Sequence, residues 1–176
     1  MARNNPYAAT FDKLYGLLLQ LSVSGQHIQD IMFRMTNKGQ SFLPQAWSGF
    51  YHFFNKGLYF HYRAQGFVEC FLSTESYSPK SIGIWANQLV YPANDSFKQA
   101  MLYWDKARYA PNFASQPEFG ELERQLRTFW AIEGQIMVQT NELLGAGAAP
   151  VSAAASLAES GQSDSQDGLN QEQALA

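Results

Sequence analysis

Apolar residues recur at helical spacing through the first fifth of the chain. Phe11, Leu14, Leu18 and Leu21 fall three or four apart, and Ile28, Ile31, Met32 and Met35 continue the stripe. Pro6 suits a first helical turn, where its missing N–H costs nothing. Gly25 is a candidate interruption, giving either two short helices or one bent one. Asn37-Lys38-Gly39 closes the segment, with Gly39 free to take a left-handed conformation. A second helix is expected from near Pro44 to Asn55, because Trp47, Phe50, Tyr51 and Phe54 occupy i, i+3, i+4 and i+7. Lys56-Gly57 is expected to end it.

The period then changes. Leu58 to Arg63 is rich in Tyr and Phe, Ala64-Gln65-Gly66 reads as a short loop, and Phe67 to Leu72 alternates. Two aromatic runs joined by a glycine-containing loop predict a β-hairpin over 58–72, in preference to a helix continuing through Gly66. Residues 73–95 hold turn formers and a short apolar piece, Ile82 to Tyr91, and no element is assigned there. Asn94 or Asp95 is expected to cap a third helix, with Phe97, Met101, Trp104 and Arg108 along one face and Pro111 as its stop. The last helix is the best marked. Ser115 and Glu118 have capping-box spacing, with Pro117 in the first turn. Leu122, Leu126, Phe129, Trp130, Ile136, Met137, Val138 and Leu144 supply its apolar positions, and Gly145 stands at its end.

Beyond Gly145 the residues are mostly Ala, Gly, Ser, Gln and acids, too polar to offset the entropy of ordering. The expected organisation is a helical domain over 1–144 and a disordered acidic tail over 145–176. The fold class is mainly α: a four-helix-bundle-like domain with a small β-hairpin, followed by that tail.

Composition sharpens this picture in two ways. Aromatic residues make up 15% of the 176, enough to fill a core, while charged residues are also only 15%, below the roughly 25% of an average domain. A surface short of charge suits packing against copies or partners. Four of the 15 acidic residues (Glu159, Asp164, Asp167 and Glu172) lie beyond Gly145 with no Lys or Arg, so residues 1–144 carry 12 basic against 11 acidic side chains. Such a body lacks a strongly cationic nucleic-acid footprint, although a local basic stripe is compatible with it. A single cysteine, Cys70, suits a reducing compartment. No cleavable-signal pattern is read at the start, and no window has the ~18 apolar residues of a membrane span.

Catalytic chemistry finds little support. His27, His52 and His61 are too few and too scattered for a tetrahedral metal site. His52 and His61 are expected in an aromatic patch with one wet edge. Cys70 lacks a neighbouring base in sequence and is expected to be a buried structural thiol. Gly-Ala-Gly at 145–147 follows a helix, the wrong order for a phosphate-binding loop. Neither an enzyme, a metal nor a cofactor is expected. The basic residues are more suggestive: Lys106 and Arg108 end the third helix, and Arg124 and Arg127 lie in the early turns of the fourth. A short connection between antiparallel helices would gather them at one end of a bundle, to grip phosphates or to pair with Asp105, Glu121 and Glu123.

Trp104-Asp105-Lys106-Ala107-Arg108, Glu121-Leu122-Glu123-Arg124-Gln125-Leu126-Arg127 and Asn141-Glu142-Leu143-Leu144 carry a family resemblance. The chain resembles the coat proteins of rod-shaped plant RNA viruses, the tobamovirus-like group, over about 110 residues in outline. The resemblance implies a four-helix bundle with a small sheet at one end, helical assembly of copies, and single-stranded RNA in a shared groove. On that reading Lys38, Lys106, Arg108, Arg124 and Arg127 contact RNA, Asp105 orients them, and the protein occupies the virion or the host cytoplasm. Trp47, Phe50, Tyr51, Phe54, Tyr59, Phe67 and Phe71 form the candidate interface. The alternative is a cytoplasmic, non-viral helical adaptor that binds a partner protein through that same aromatic patch, Trp47–Phe71. A third reading uses the region as an enclosed small-ligand pocket.

Overall fold

The computed structural model describes residues 7–39, 43–74 and 77–159, with side chains to Gly145. Pro6 and residues 160–176 lie outside the described residues. Among those described, the chain is helical, with no strand. Helix α1 spans Ala8–Asn37, α2 Ala46–Thr74, α3 Pro79–Trp85, α4 Tyr91–Ala107, α5 Pro111–Ala114 and α6 Phe119–Glu159. A π-helical turn, Ala86–Val90, joins α3 to α4 without a break.

Side-chain contacts fix the topology. Trp47 Nε1 donates to Thr36 Oγ1, and Tyr15 donates to Glu69, so α1 and α2 run antiparallel. Phe50 packs on Trp104 and Phe54 on Phe97, so α2 and α4 do too. Asn94 meets Glu133 and Trp104 meets Phe119, pairing α4 with α6. Arg34 meets Glu121, closing the ring between α6 and α1. The result is an up-down-up-down bundle.

The expected hairpin over 58–72 is not formed; α2 continues as one helix to Thr74. Its buried residues explain why. Phe50, Phe54, Leu58, His61, Ala64, Val68 and Phe71 fall three or four apart and form a single inward stripe. The aromatic residues that suggested strand alternation, Tyr59 and Phe67, point outward instead. Gly57 does not end the helix. It lies against the ring of Phe97, and Gly49 against the ring of Tyr103, in contacts that no side chain at these positions leaves room for. Both glycines bring α2 close to α4. Gly25 plays the same part in α1, which is unbroken: a Cβ there would stand 2.7 Å from Leu58 Cδ2.

Other boundaries also shift. Asn94 and Asp95 sit inside α4, which starts earlier than expected. The unassigned 73–95 region holds α3, capped by Ser78, whose side chain accepts from the Ser81 N–H at 3.2 Å. Pro92 accounts for the π turn that precedes it. A proline ring crowds the carbonyl four residues back and brings no N–H, and the wider turn relieves that clash while Tyr91 N–H bonds to Ala86 O. The Ser115–Glu118 capping box does not form, because Ser115 donates to Asn112 O and α6 starts at Phe119. Pro111 opens α5. Gly39 has φ 111°, as expected of a residue that closes a helix. Backbone helix continues past Gly145 to Glu159, further than the expected helix end.

Two aromatic clusters fill the bundle. One joins Trp47, Phe50, Phe54, Phe97, Trp104, Phe113 and Phe129, with Phe97 and Phe129 centroids 4.8 Å apart. The other joins Tyr7, Phe11, Phe71, Tyr77 and Trp85.

Two substitutions test this fold. Gly57→Ala is expected to destabilise the protein by about 1–3 kcal/mol, since overpacking against Phe97 outweighs the gain in helix propensity. Gly66→Ala, with open space around its Cβ and a place inside α2, is expected to stabilise by about 0.5–1 kcal/mol. Denaturant unfolding measures both, and a destabilising Gly66→Ala would restore the loop reading.

Candidate functional sites

Three features of the bundle hold chemistry: a basic end, an outward aromatic face, and a polar centre inside the core.

The basic end forms where α1 and α4 finish and α6 begins. Its ion pairs involve Lys38, Asp105, Arg108 and Arg127 and add Arg34, which the sequence reading did not single out, while Lys106 and Arg124 make no ion pair with a described residue. Most of these cations already have partners. Lys38 bonds Glu118, and Arg34 meets Glu121 at 3.1 Å. Arg108 reaches Glu123 at 2.6 Å and Asp105 at 3.9 Å, while Arg127 lies 3.5 Å from the same Glu123. Lys106 stands over the ring of Tyr103, and Arg108 over that of Tyr109. Arg124 is exposed and makes no ion pair with a described residue. Asp105 pairs with Arg108 and is more than half exposed. Four cations, Arg34, Lys38, Arg108 and Arg127, thus meet four carboxylates, and their charge is largely neutralised in place.

Glu118 is the most constrained member. Its side chain is 10% exposed, and its Oε2 atom is buried without a hydrogen-bond partner. The bond from Lys38 holds its carboxyl below the ordinary range, against the upward push of burial. Glu118 thus links the start of α6 to the end of α1.

The candidate interface divides. Trp47, Phe50, Phe54 and Phe71 belong to the core, at 4%, 0%, 0% and 8% exposure, and are not a free surface. They were expected outside because a stripe read from sequence does not tell a core face from a docking face. Tyr51, Tyr59 and Phe67 are exposed, at 40%, 56% and 49%. Tyr62 on α2 and Leu19, Val23 and Phe33 on α1 are exposed too. Between them the α1–α2 seam carries polar contacts, with Gln29 Nε2 donating to Asn55 Oδ1 at 2.7 Å and Tyr15 donating to the Glu69 carboxylate at 3.1 Å. At the seam's Trp47 end lies an apolar cleft of about 460 Å³, lined by Thr36, Leu43, Pro44, Gln45, Trp47, Ser48 and Tyr51. Its lining includes no carboxylate, histidine or basic side chain.

The polar centre lies between the two aromatic clusters. His61 is 2% exposed, not the wet-edged patch residue expected. Its Nε2 is 2.8 Å from Ser22 Oγ, and Ser22 donates to Gln65 Oε1 at 2.6 Å. Burial pushes the His61 pKa down to about 4, partly opposed by its bond to the Leu18 carbonyl. A void of about 10 Å³ adjoins it, at the lower limit for one water. Leu18, Leu21, Ala64, Val90, Ala93, Phe97, Glu133 and Ile136 complete its lining. Glu133 accepts from Asn94 Nδ2 at 2.5 Å, and burial holds its carboxyl above the ordinary range. Among the described residues no group of His, Cys, Asp and Glu forms a metal site. His27 and His52 are exposed, and Cys70, expected to be buried, is exposed as well. Cys70 falls on the outward face of α2, a consequence of the helix that replaces the hairpin. Among the described residues no helix is long and apolar enough to cross a membrane.

Comparison with known protein families, curated proteins and solved structures finds no match to this chain.

Lys38→Ala tests the Glu118 contact. At neutral pH it is expected to cost about 1 kcal/mol, a figure kept small because Lys38 is partly exposed. Because the native Glu118 pKa is depressed, its stabilisation is present above the ordinary carboxylate pKa and lost as pH falls through the native value. The difference between wild type and variant in urea unfolding should therefore shrink as pH falls below the ordinary carboxylate range. An undiminished difference there contradicts the assignment.

Proposed function

We propose that the chain is a structural protein of the viral coat type, which assembles with copies of itself and gathers single-stranded RNA along the basic ends of successive bundles. One observation carries this reading: exposed aromatic and aliphatic side chains line α1 and α2, while Arg34, Lys38, Arg108 and Arg127 gather at one end of the bundle. Outward aromatic side chains, Tyr59 with Arg63 lying over its ring among them, suit lateral packing. The small positive excess at each end is weak in one copy and sums along a polymer. The resemblance to tobamovirus-like coat proteins supports the same reading, although the small sheet it implied is absent among the described residues.

A second reading, a helical adaptor for a partner protein, rests on the ion pairing just described. Cations already bonded to Glu118, Glu121 and Glu123 have less to offer phosphate. On this reading the exposed residues Tyr51, Tyr59 and Phe67 dock the partner.

Electron microscopy and sedimentation of the purified protein, with and without single-stranded RNA, test the proposal. The coat reading expects polymers that lengthen with RNA, and a strict monomer under all conditions contradicts it. Arg124→Glu with Arg127→Glu is expected to abolish RNA incorporation while leaving the fold intact, since both side chains are exposed. An unchanged RNA content favours the adaptor.

A further inference from the structure

Two tyrosines lie at the end of α4, and the fold treats them differently. Tyr103 belongs to the packing. Its ring lies against Gly49 and stacks on Phe53 at 5.6 Å, with the Lys106 ammonium over it. Tyr109 stands one residue beyond the cap of α4 and is 76% exposed, the most open large apolar side chain among the described residues. Its backbone has no such freedom. Ala107 and Phe113 on either side are fully buried, and the Ala110 N–H donates to the Ala107 carbonyl at 3.0 Å. A fixed turn therefore presents a ring that adds little to the core.

That ring has a charged neighbour. The Arg108 guanidinium lies over it, 5.4 Å from the centroid, and the exposure of Tyr109 leaves the opposite face open. Arg108 also bonds Glu123 on α6, whose other oxygen lies 3.5 Å from Arg127. One guanidinium thus ties Tyr109 to the cations of α6. In this half of the basic end, Lys106, Arg108, Arg124 and Arg127 stand against Asp105 and Glu123, an excess of two positive charges.

An open ring beside uncompensated cations matches a strand of nucleotides, which offers a π face at every base and a phosphate on either side. Cations alone hold phosphates without ordering the bases. Tyr59 repeats the pair with Arg63, but it lies roughly three turns along α2, on the side of the bundle.

We infer that Tyr109 is a base-stacking residue, on which a base of single-stranded RNA lies while Arg108, Lys106 and Arg124 take the flanking phosphates. This rests on the RNA reading of the basic end and adds what that end does with the bases. Stacking tolerates every base, as the packaging of a whole strand requires.

Fluorescence anisotropy of a labelled oligouridine with dilute protein tests the inference. Tyr109→Leu keeps apolar bulk and removes the π face, and it is expected to weaken binding about tenfold. Tyr109→Phe should bind as wild type does. The slope of log K against log salt should be unchanged in Tyr109→Leu, which loses no phosphate contact, and should flatten by about 1 in Arg124→Ala. An abasic oligonucleotide of the same length should bind wild type and Tyr109→Leu alike. Equal oligouridine affinity of wild type and Tyr109→Leu overturns the inference and leaves the RNA reading standing. So does a Tyr109→Leu protein that loses self-association on sedimentation but keeps its RNA affinity, since Tyr109 is then a contact between proteins. A wild type that binds neither oligonucleotide removes the RNA reading and the inference with it. Photo-cross-linking of wild-type protein to oligouridine needs no variant: the adduct should fall on Tyr109, and adducts confined to Tyr51 or Tyr59 overturn the assignment.

Discussion

The close approach of α2 to α4 sets the rest of the structure. Gly49 and Gly57 leave the α2 backbone bare where Tyr103 and Phe97 press against it. With those rings seated, Phe50 and Phe54 meet Trp104, Phe97 and Phe129 in a continuous aromatic core. Burial of such rings supplies the main driving force, and their tilted and edge-on contacts add to it. Because the contact runs along the side of α2, it favours one long straight helix over a turn at Gly57.

That straight helix determines what faces in and what faces out. Three turns beyond Phe50 the inward position is His61, which therefore sits mid-bundle between the two aromatic clusters. Tyr51, Tyr59 and Phe67 are turned outward by the same geometry. Smaller residues around His61, Ala64 and Ala93 among them, leave the void that adjoins Glu133. Aromatic packing fills both ends, and the polar contacts of His61, Ser22 and Gln65 lie between them. The cations, held at one end by α1, α4 and α6, are separate from both.

Much of the fold is legible in the residues, and the exceptions have common causes. Helix α1 and most of α6 follow their apolar spacing, because Leu, Ile and Met at three and four apart have no competing pattern. In α2 the stripe continues through His61 and Ala64, neither of which counts as strongly apolar, while Tyr59 and Phe67 mimic strand alternation on the outer face. Gly57 looked like a stop because glycine weakens helices, but here it serves close contact. Asn94 looked like a cap, and instead donates to Glu133 from inside α4. The basic end was visible in outline, since short connections bring α4 and α6 together. Arg34, Glu118 and the pairing that restrains Lys38 depend on α1 lying against α6, a distance of some eighty residues in sequence that no local pattern reports. The buried role of His61 depends on all four long segments at once.

The continuity of α2 is the central claim, because the core, the buried seat of His61 and the outer face all follow from it. Backbone chemical shifts across residues 58–72 measure it directly. The account predicts helical shifts without a break, including Ala64, Gln65 and Gly66. Strand-type shifts on both sides of a turn at those three residues would contradict it.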